Sequence, residues 1–305
     1  MKALRSPALQ AVLAAALYAI NIPCAKLLLV QFSPMIMATL LYLGASIGMF
    51  IIGLIRKGLG HGEEMQLSCN DLPYVIGIIA LDIAAPILLM VGLQMTTASN
   101  AALLNNFEIV ATSLIALLLF RERISIRMWF AIGLMTLASA MLSFEDASSF
   151  SFSVGSLLVL FACVCWGFDN NCTRRLSGKD PLQIVVVKGL GSGAGAFLIT
   201  LVTGERVTQW QYVPLALLLG FVAYGLSAFF YVRAQRHLGA ARTSAYYTIA
   251  PFLGAGFSLV LFCEIPNAVF LIALALMAVG TVMVTLDHRE NTKTALVDIE
   301  MTDRR

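Results

Sequence analysis

ASNAALLNNFEIVATSLIALLLFRERIS, residues 98–125, is echoed further along the chain by AARTSAYYTIAPFLGAGFSLVLFCEIPN, residues 240–267. Laid together, Ala98 meets Ala240, Leu117 meets Leu259, Leu119 meets Leu261, Phe120 meets Phe262 and Glu122 meets Glu264. The register continues without a gap, setting Ala131, Leu134, Met135 and Met141 opposite Ala273, Leu276, Met277 and Met283. Apolar identities recur by chance in so oily a chain, so the glutamate that closes each run carries most weight. The front of the chain repeats as well: LYAINIPCAK at 17–26 lies on CWGFDNNCTR at 165–174, Cys24 over Cys172 and Lys26 over Arg174. A self-similarity of this length marks an internal duplication.

What is duplicated follows from composition. The 305 residues are 59% hydrophobic and only 12% charged, against roughly 25% charged in an ordinary soluble domain. Such a chain lacks the polar coat a soluble enzyme needs. A hydrocarbon slab about 30 Å thick takes roughly 20 apolar residues per helix, and runs of that kind fall at 8–30, 34–55, 72–95, 100–120, 126–144, 154–175, 181–203, 212–232, 243–262 and 266–286. The expected fold is therefore an all-α integral membrane protein of ten spans. Each repeat holds five: residues 1–147 and 148–286, followed by a flexible polar tail, 287–305. Five is odd, so the second copy threads the bilayer in the opposite sense. Inverted repeats of this kind are an architecture of transporters.

Charge gives the orientation. With the N-terminus inside, the inner segments collect Lys2, Arg5, Arg56, Lys57, Arg121, Arg123, Arg127, Arg174, Arg175, Lys179, Arg233, Arg236, Arg242, Arg289, Lys293, Arg304 and Arg305, while the outer loops hold Arg206 beside Glu145, Asp146, Glu205 and Glu264. The positive-inside rule then places both termini in the cytosol. Lys2 and Arg5 ahead of small residues at 14–16 raise a cleaved leader, but the apolar run continues past them and has its counterpart in the second repeat. The net charge of +3 gives no reason to expect a nucleic-acid partner. The six cysteines form no CxxC pair and have no histidine set beside them, so neither a metal nor a cofactor is expected.

The combination YAINIPCAK and WGFDNNCTR, with LLLFRERIS and LVLFCEIPN closing the fourth span of each half, resembles the drug/metabolite transporter superfamily, EamA type, over residues 8–286. That resemblance implies a ten-helix bundle, a central solute site and alternating access, with export the favoured direction. The family often carries a proline in the middle of spans 4 and 9. Span 9 has Pro251, whereas span 4 has Ile109, which leaves open whether span 4 bends.

An ionisable side chain at mid-bilayer costs about 2.5 to 3.5 kcal/mol on insertion scales and must face protein, cavity water or a partner. Lys26, Asp82, Glu108, Asp169 and Lys188 are such residues, three acids against two bases. One carboxylate is left over, to hold a proton or a cation. Glu108 is the first candidate, with Asn105 and Thr112 a turn away on one face. Those groups line a cavity or form a fixed interhelical cluster. Asp82 lies four residues before Pro86, which removes an amide donor and leaves the Asp82 carbonyl free. This fits a solute-lined bend or a packed kink. Trp166, Asp169 and Thr173 share a face, suited to a cationic or amphipathic solute, unless Asp169 pairs with Arg174 or Arg175. Lys188 can reach a solute carboxylate or neutralise Asp169, while Lys26 is expected to snorkel outward. Tyr224 and Tyr231 on span 8 and Tyr247 on span 9 add hydroxyls. Pro86, Pro251, Glu122 and Glu264 are read as gating or structural. The lining is expected from spans 1, 3, 4, 6, 8 and 9, with 5 and 10 as outer braces.

The reading is a multi-pass carrier in the plasma or inner membrane. It moves a small organic solute such as an amino acid, metabolite or drug-like compound, with protons or a counter-solute as possible drivers. A non-transporting membrane binding or structural protein is the alternative. An intramembrane lipid-modifying enzyme is the weaker one, since His61, His237 and His288 all lie outside the spans.

Overall fold

In the computed structural model, residues 6–58, 65–120, 125–146, 151–176, 178–238, 243 and 246–303 are described. The chain is almost wholly helical. Its helices are α1 (Pro7–Ala19), α2 (Asn21–Leu28), α3 (Pro34–Gly58), α4 (Leu72–Met95), α5 (Ala98–Leu104), α6 (Phe107–Phe120) and α7 (Ile126–Ser143) in the first half. The second half has α8 (Val154–Leu176), α9 (Pro181–Thr203), α10 (Val213–Leu219), α11 (Ser227–Leu238), α12 (Ala250–Phe262) and α13 (Ala268–Asp303). One departure from the all-helical expectation is a short antiparallel ribbon between the halves, in which Phe144 pairs with Phe152. The polar residues expected to form a tail continue the backbone of α13 as far as Asp303.

Among the described residues, seven helical stretches are long and apolar enough to cross a membrane, including Pro7–Leu28, which joins α1 and α2. The stretches Ala250–Phe262 and Ala268–Val284 are apolar but shorter. Span 4 is divided between α5 and α6, neither long enough to cross alone. Apolar side chains cover the outside as well as the core: Val30, Leu118 and Val202 are 79%, 74% and 88% exposed. An oily exterior is what a lipid solvent demands and what water would penalise.

Inside, helices pair by close approach. α4 packs on α8, α3 on α9, α1 on α11, α5 on α12 and α7 on α13. Where α3 meets the start of span 8 the two backbones touch. A Cβ on Gly44 would fall 2.1 Å from the Leu217 carbonyl oxygen, and one on Gly220 would fall 2.0 Å from that of Leu41. The glycines of GSGAG at 191–195 likewise admit neighbours: Gly191 and Gly195 receive Ile79 and Ile83 of α4, and Gly193 receives Leu43 of α3. This is the small-residue packing that membrane helices use in place of a hydrophobic drive.

Among the described residues, three of the expected spans are interrupted near their middles. Span 1 breaks at Ile20, before Pro23. Span 9 breaks at Thr248 and Ile249, so Pro251 sits in the first turn of α12, where its missing N–H is not needed. Span 4 breaks at Asn105 and Asn106 although it lacks the family proline. Span 8 stays continuous but widens to a π-helix over Gly220–Leu226.

Candidate functional site

The break in span 4 is held by the two asparagines themselves. Asn106 N bonds Leu103 O at 3.1 Å, Glu108 N bonds Asn105 O at 3.1 Å and Ile109 N bonds Asn106 O at 3.1 Å, all tightened i to i+3 contacts. Tightening leaves carbonyls at the break without their usual i+4 donor, open to further bonds. The Asn106 side-chain amide covers Leu103 O at 3.0 Å, and the Cys163 thiol approaches Leu104 O at 3.7 Å. Asn105 is 4% exposed, meets Cys163 and lies outside the cavity lining. Of the two residues expected to line one cavity, Glu108 lines it and Asn105 packs against Cys163 instead.

Glu108, in the first turn of α6, does face the interior. Its Oε1 accepts a hydrogen bond of 2.6 Å from Asn170 Nδ2, which also reaches Thr112 Oγ1 at 3.3 Å. One residue earlier on α8, Asp169 Oδ2 stands 2.6 Å from Lys188 Nζ of α9, which also lies 2.8 Å from Asp82 Oδ2 of α4. Asp169 therefore takes Lys188 as its close partner in place of the neighbouring arginines. The α4 helix runs on through Pro86 without interruption, and the Asp82 side chain is wholly buried.

These groups line a cavity of about 140 Å³. A single water needs roughly 10–15 Å³ on this measure, so the space suits a small organic solute. Asp82, Glu108, Trp166, Asp169, Lys188, Tyr224 and Tyr247 all contribute, as does Tyr231. Sequence reasoning missed Tyr18 and Tyr42. A signal for Tyr18 was present, since the repeat alignment lays it on Trp166. The rings form a string: Tyr42 to Tyr224 at 5.1 Å, Tyr224 to Tyr18 at 6.1 Å, Tyr18 to Tyr247 at 5.8 Å and Tyr247 to Tyr231 at 4.9 Å between centroids. Asn21 Nδ2 donates to the Tyr224 hydroxyl at 3.2 Å, tying the broken span 1 to span 8. Spans 2 and 7 also line the cavity, through Tyr42 and Ala45 and through Ile184, Val185, Lys188 and Gly189; neither was counted among the lining spans, although Lys188 was named as able to reach a solute.

The cavity reaches toward one end of the bundle, where Thr173 closes the α8 part of the lining and Ile184 and Val185 open the α9 part. At the other end the helices are tied. Lys26 does not snorkel: its Nζ donates to Leu93 O and, at 2.6 Å, to Thr96 O, capping the end of α4. Ser33 donates to Glu205, Ser99 donates to Glu264, and the Thr39 and Thr200 hydroxyls lie 3.4 Å apart. Glu264 thus finds its partner in a serine, while Glu122 lies outside the described residues. Pro86 and Pro251 do not touch the cavity.

Against known proteins, a model described as the EamA-like transporter family matches residues 5–144 and again 153–286. An uncharacterized transporter of Methanothermobacter thermautotrophicus is 28% identical over 259 residues, covering 78% of this chain and 74% of its own. The uncharacterized transporter YyaM of Bacillus subtilis is 24% identical over 238 residues, 74% of this chain and 76% of that one. A solved crystal structure superposes with a TM-score of 0.65 at 17% identity, covering 95% of this chain and 99% of the other; at that identity the likeness speaks for the fold alone.

Proposed function

The chain belongs to the EamA-like transporter family, and from the premise that it is a membrane transporter we propose that it carries a small organic solute by alternating access. The two halves, 1–147 and 148–286, act as inverted five-span repeats with both termini in the cytosol of a cell whose plasma or inner membrane houses the carrier. Export is the favoured direction, driven by protons or by exchange. The observation that carries the proposal is the cavity: charged groups from both halves converge on it, it extends toward one end of the bundle, and the opposite end is tied shut.

The helix pairings support the duplication. Inverting and exchanging the halves turns the contact of α4 with α8 into that of α11 with α1, and leaves α3 on α9 and α7 on α13 each mapped onto itself. Positive charge at the α8–α9 end supports reading that end as cytosolic; the cavity then faces inward.

Purified protein in liposomes, preloaded and screened by counterflow against amines, amino acids, nucleobases and organic acids, tests the proposal. Uptake of labelled solute driven by unlabelled solute inside is expected. Saturable binding in detergent without any counterflow would leave a binding protein and overturn the carrier.

A further inference from the structure

We propose that the solute is an organic cation, a protonated amine on an aromatic or apolar body, with its ammonium held at Glu108. The proposal rests on the carrier reading and names the substrate class of that same cavity.

Three observations carry it. The first is charge. Among the described residues lining the cavity, the acids are Asp82, Glu108 and Asp169, and the one base is Lys188. Lys188 is committed between two carboxylates, at 2.6 and 2.8 Å, and Glu108 is bonded by a neutral amide. A solute carboxylate entering here would come among three acids and would have to draw Lys188 from partners it already holds. A solute ammonium would meet an acid with no cation of its own.

The second is the direction of unmet hydrogen bonding. Asp82 Oδ1 and Asp169 Oδ1 are buried with no hydrogen-bond partner, on residues 0% and 4% exposed. Both are acceptors. A buried polar atom without a partner costs about 1–3 kcal/mol, and what these lack is a donor. An ammonium brings up to three donors and no acceptor.

The third is the aromatic lining. Tyr18, Tyr42, Tyr224, Tyr231 and Tyr247 line the cavity as a string of rings, with Trp166 on α8. Ring faces attract a cation through their quadrupole and pack an apolar body equally well. A bare metal ion fits less well, because among the described residues no three metal-ligating side chains converge.

The test compares solutes that share one aromatic ring and differ in the head group: phenethylamine, phenylethanol, phenylacetate and phenylalanine. Binding to the purified protein near neutral pH is read by calorimetry, and flux of the same compounds by counterflow. Phenethylamine should bind at least about tenfold more tightly than the other three, and Glu108→Gln should weaken it by at least about tenfold while leaving phenylethanol unchanged. Glu108→Asp should keep the preference for the amine, which guards against a glutamine variant that fails to fold. Equal or tighter binding of phenylacetate or phenylalanine, no binding of the amine, or amine affinity indifferent to Glu108 would each overturn the cation assignment. In the first case, counterflow of the acid would leave the carrier standing. Amine binding without flux would do the reverse, sparing the site and removing the carrier.

Discussion

Asn170 donates its side-chain amide to Glu108 across 2.6 Å, so that an acid in the first turn of one broken span is positioned by the neighbouring helix of the other half. Glutamine at 108 keeps the shape and the carbonyl acceptor but cannot carry charge or exchange a proton. Glu108→Gln should therefore fold with wild-type thermal stability, while counterflow falls at least about tenfold. Unchanged flux would take Glu108 out of the mechanism.

Lys188 is shared by two carboxylates, and the sharing makes the three residues unequal. Removing the lysine leaves two buried acids uncompensated; removing Asp82 leaves the contact of Lys188 with Asp169 intact. Breaking a buried ion pair by deleting one partner costs about 3–5 kcal/mol. Lys188→Met should thus destabilise the protein strongly and Asp82→Asn only mildly. In the double variant the two losses should not add. Thermal unfolding in detergent of all three reads this directly, and equal losses for the two single variants would mean that the lysine is not shared.

Much of this arrangement was legible because lipid leaves few choices. The apolar runs gave the helices, and the cost of charge in hydrocarbon singled out Asp82, Glu108, Asp169 and Lys188, all of which line the cavity. Asn105 misled because sharing a face with Glu108 does not decide what a side chain meets: its side-chain carbonyl oxygen is taken by the Cys163 thiol of α8, a contact that spacing along one helix does not reveal. A proline announces a break through a missing N–H, whereas an asparagine pair supports one by side-chain bonding, which periodicity does not reveal. Tyr18 and Tyr42 were hidden for a different reason. Tyrosine is ordinary in an apolar helix, and nothing local distinguishes a ring facing a cavity from one packed in the core. Pairing Tyr18 with Trp166 through the duplication was the available clue.

Backbone contact between α3 and span 8 sets a sharper contrast. Gly44 and Gly220 each face a carbonyl oxygen that an added methyl would strike, and backbone cannot swing aside as a side chain can. Gly44→Ala and Gly220→Ala should each cost about 1–3 kcal/mol or more through forced separation of the helices. Gly133 on α7 and Gly256 on α12 have nothing within 4 Å of the same position. Alanine there should be neutral or stabilise by about 0.5–1 kcal/mol through helix propensity. Melting temperatures that fail to separate the two pairs would place the close crossing in doubt.

The tied end of the bundle leads to the last expectation. Lys26 caps α4, Ser99 bonds Glu264 and Ser33 bonds Glu205, and each tie joins elements that would have to part for the cavity to open on that side. Hydrogen bonds to charged groups contribute about 1.5–3 kcal/mol each. Losing one should shift an open–closed balance by roughly ten- to a hundredfold. Opening at this end should therefore become common in Lys26→Met and in Glu264→Ala, substitutions at two residues that do not line the cavity. A cysteine at Tyr42, placed in a cysteine-free background, reports the event through its rate of modification by a membrane-impermeant thiol reagent added to cells from outside. That rate should rise at least about tenfold in either variant and fall when saturating solute stabilises the closed state. If the ties are only surface ornament, the rate will not move, and closure at this end must be credited to apolar packing alone.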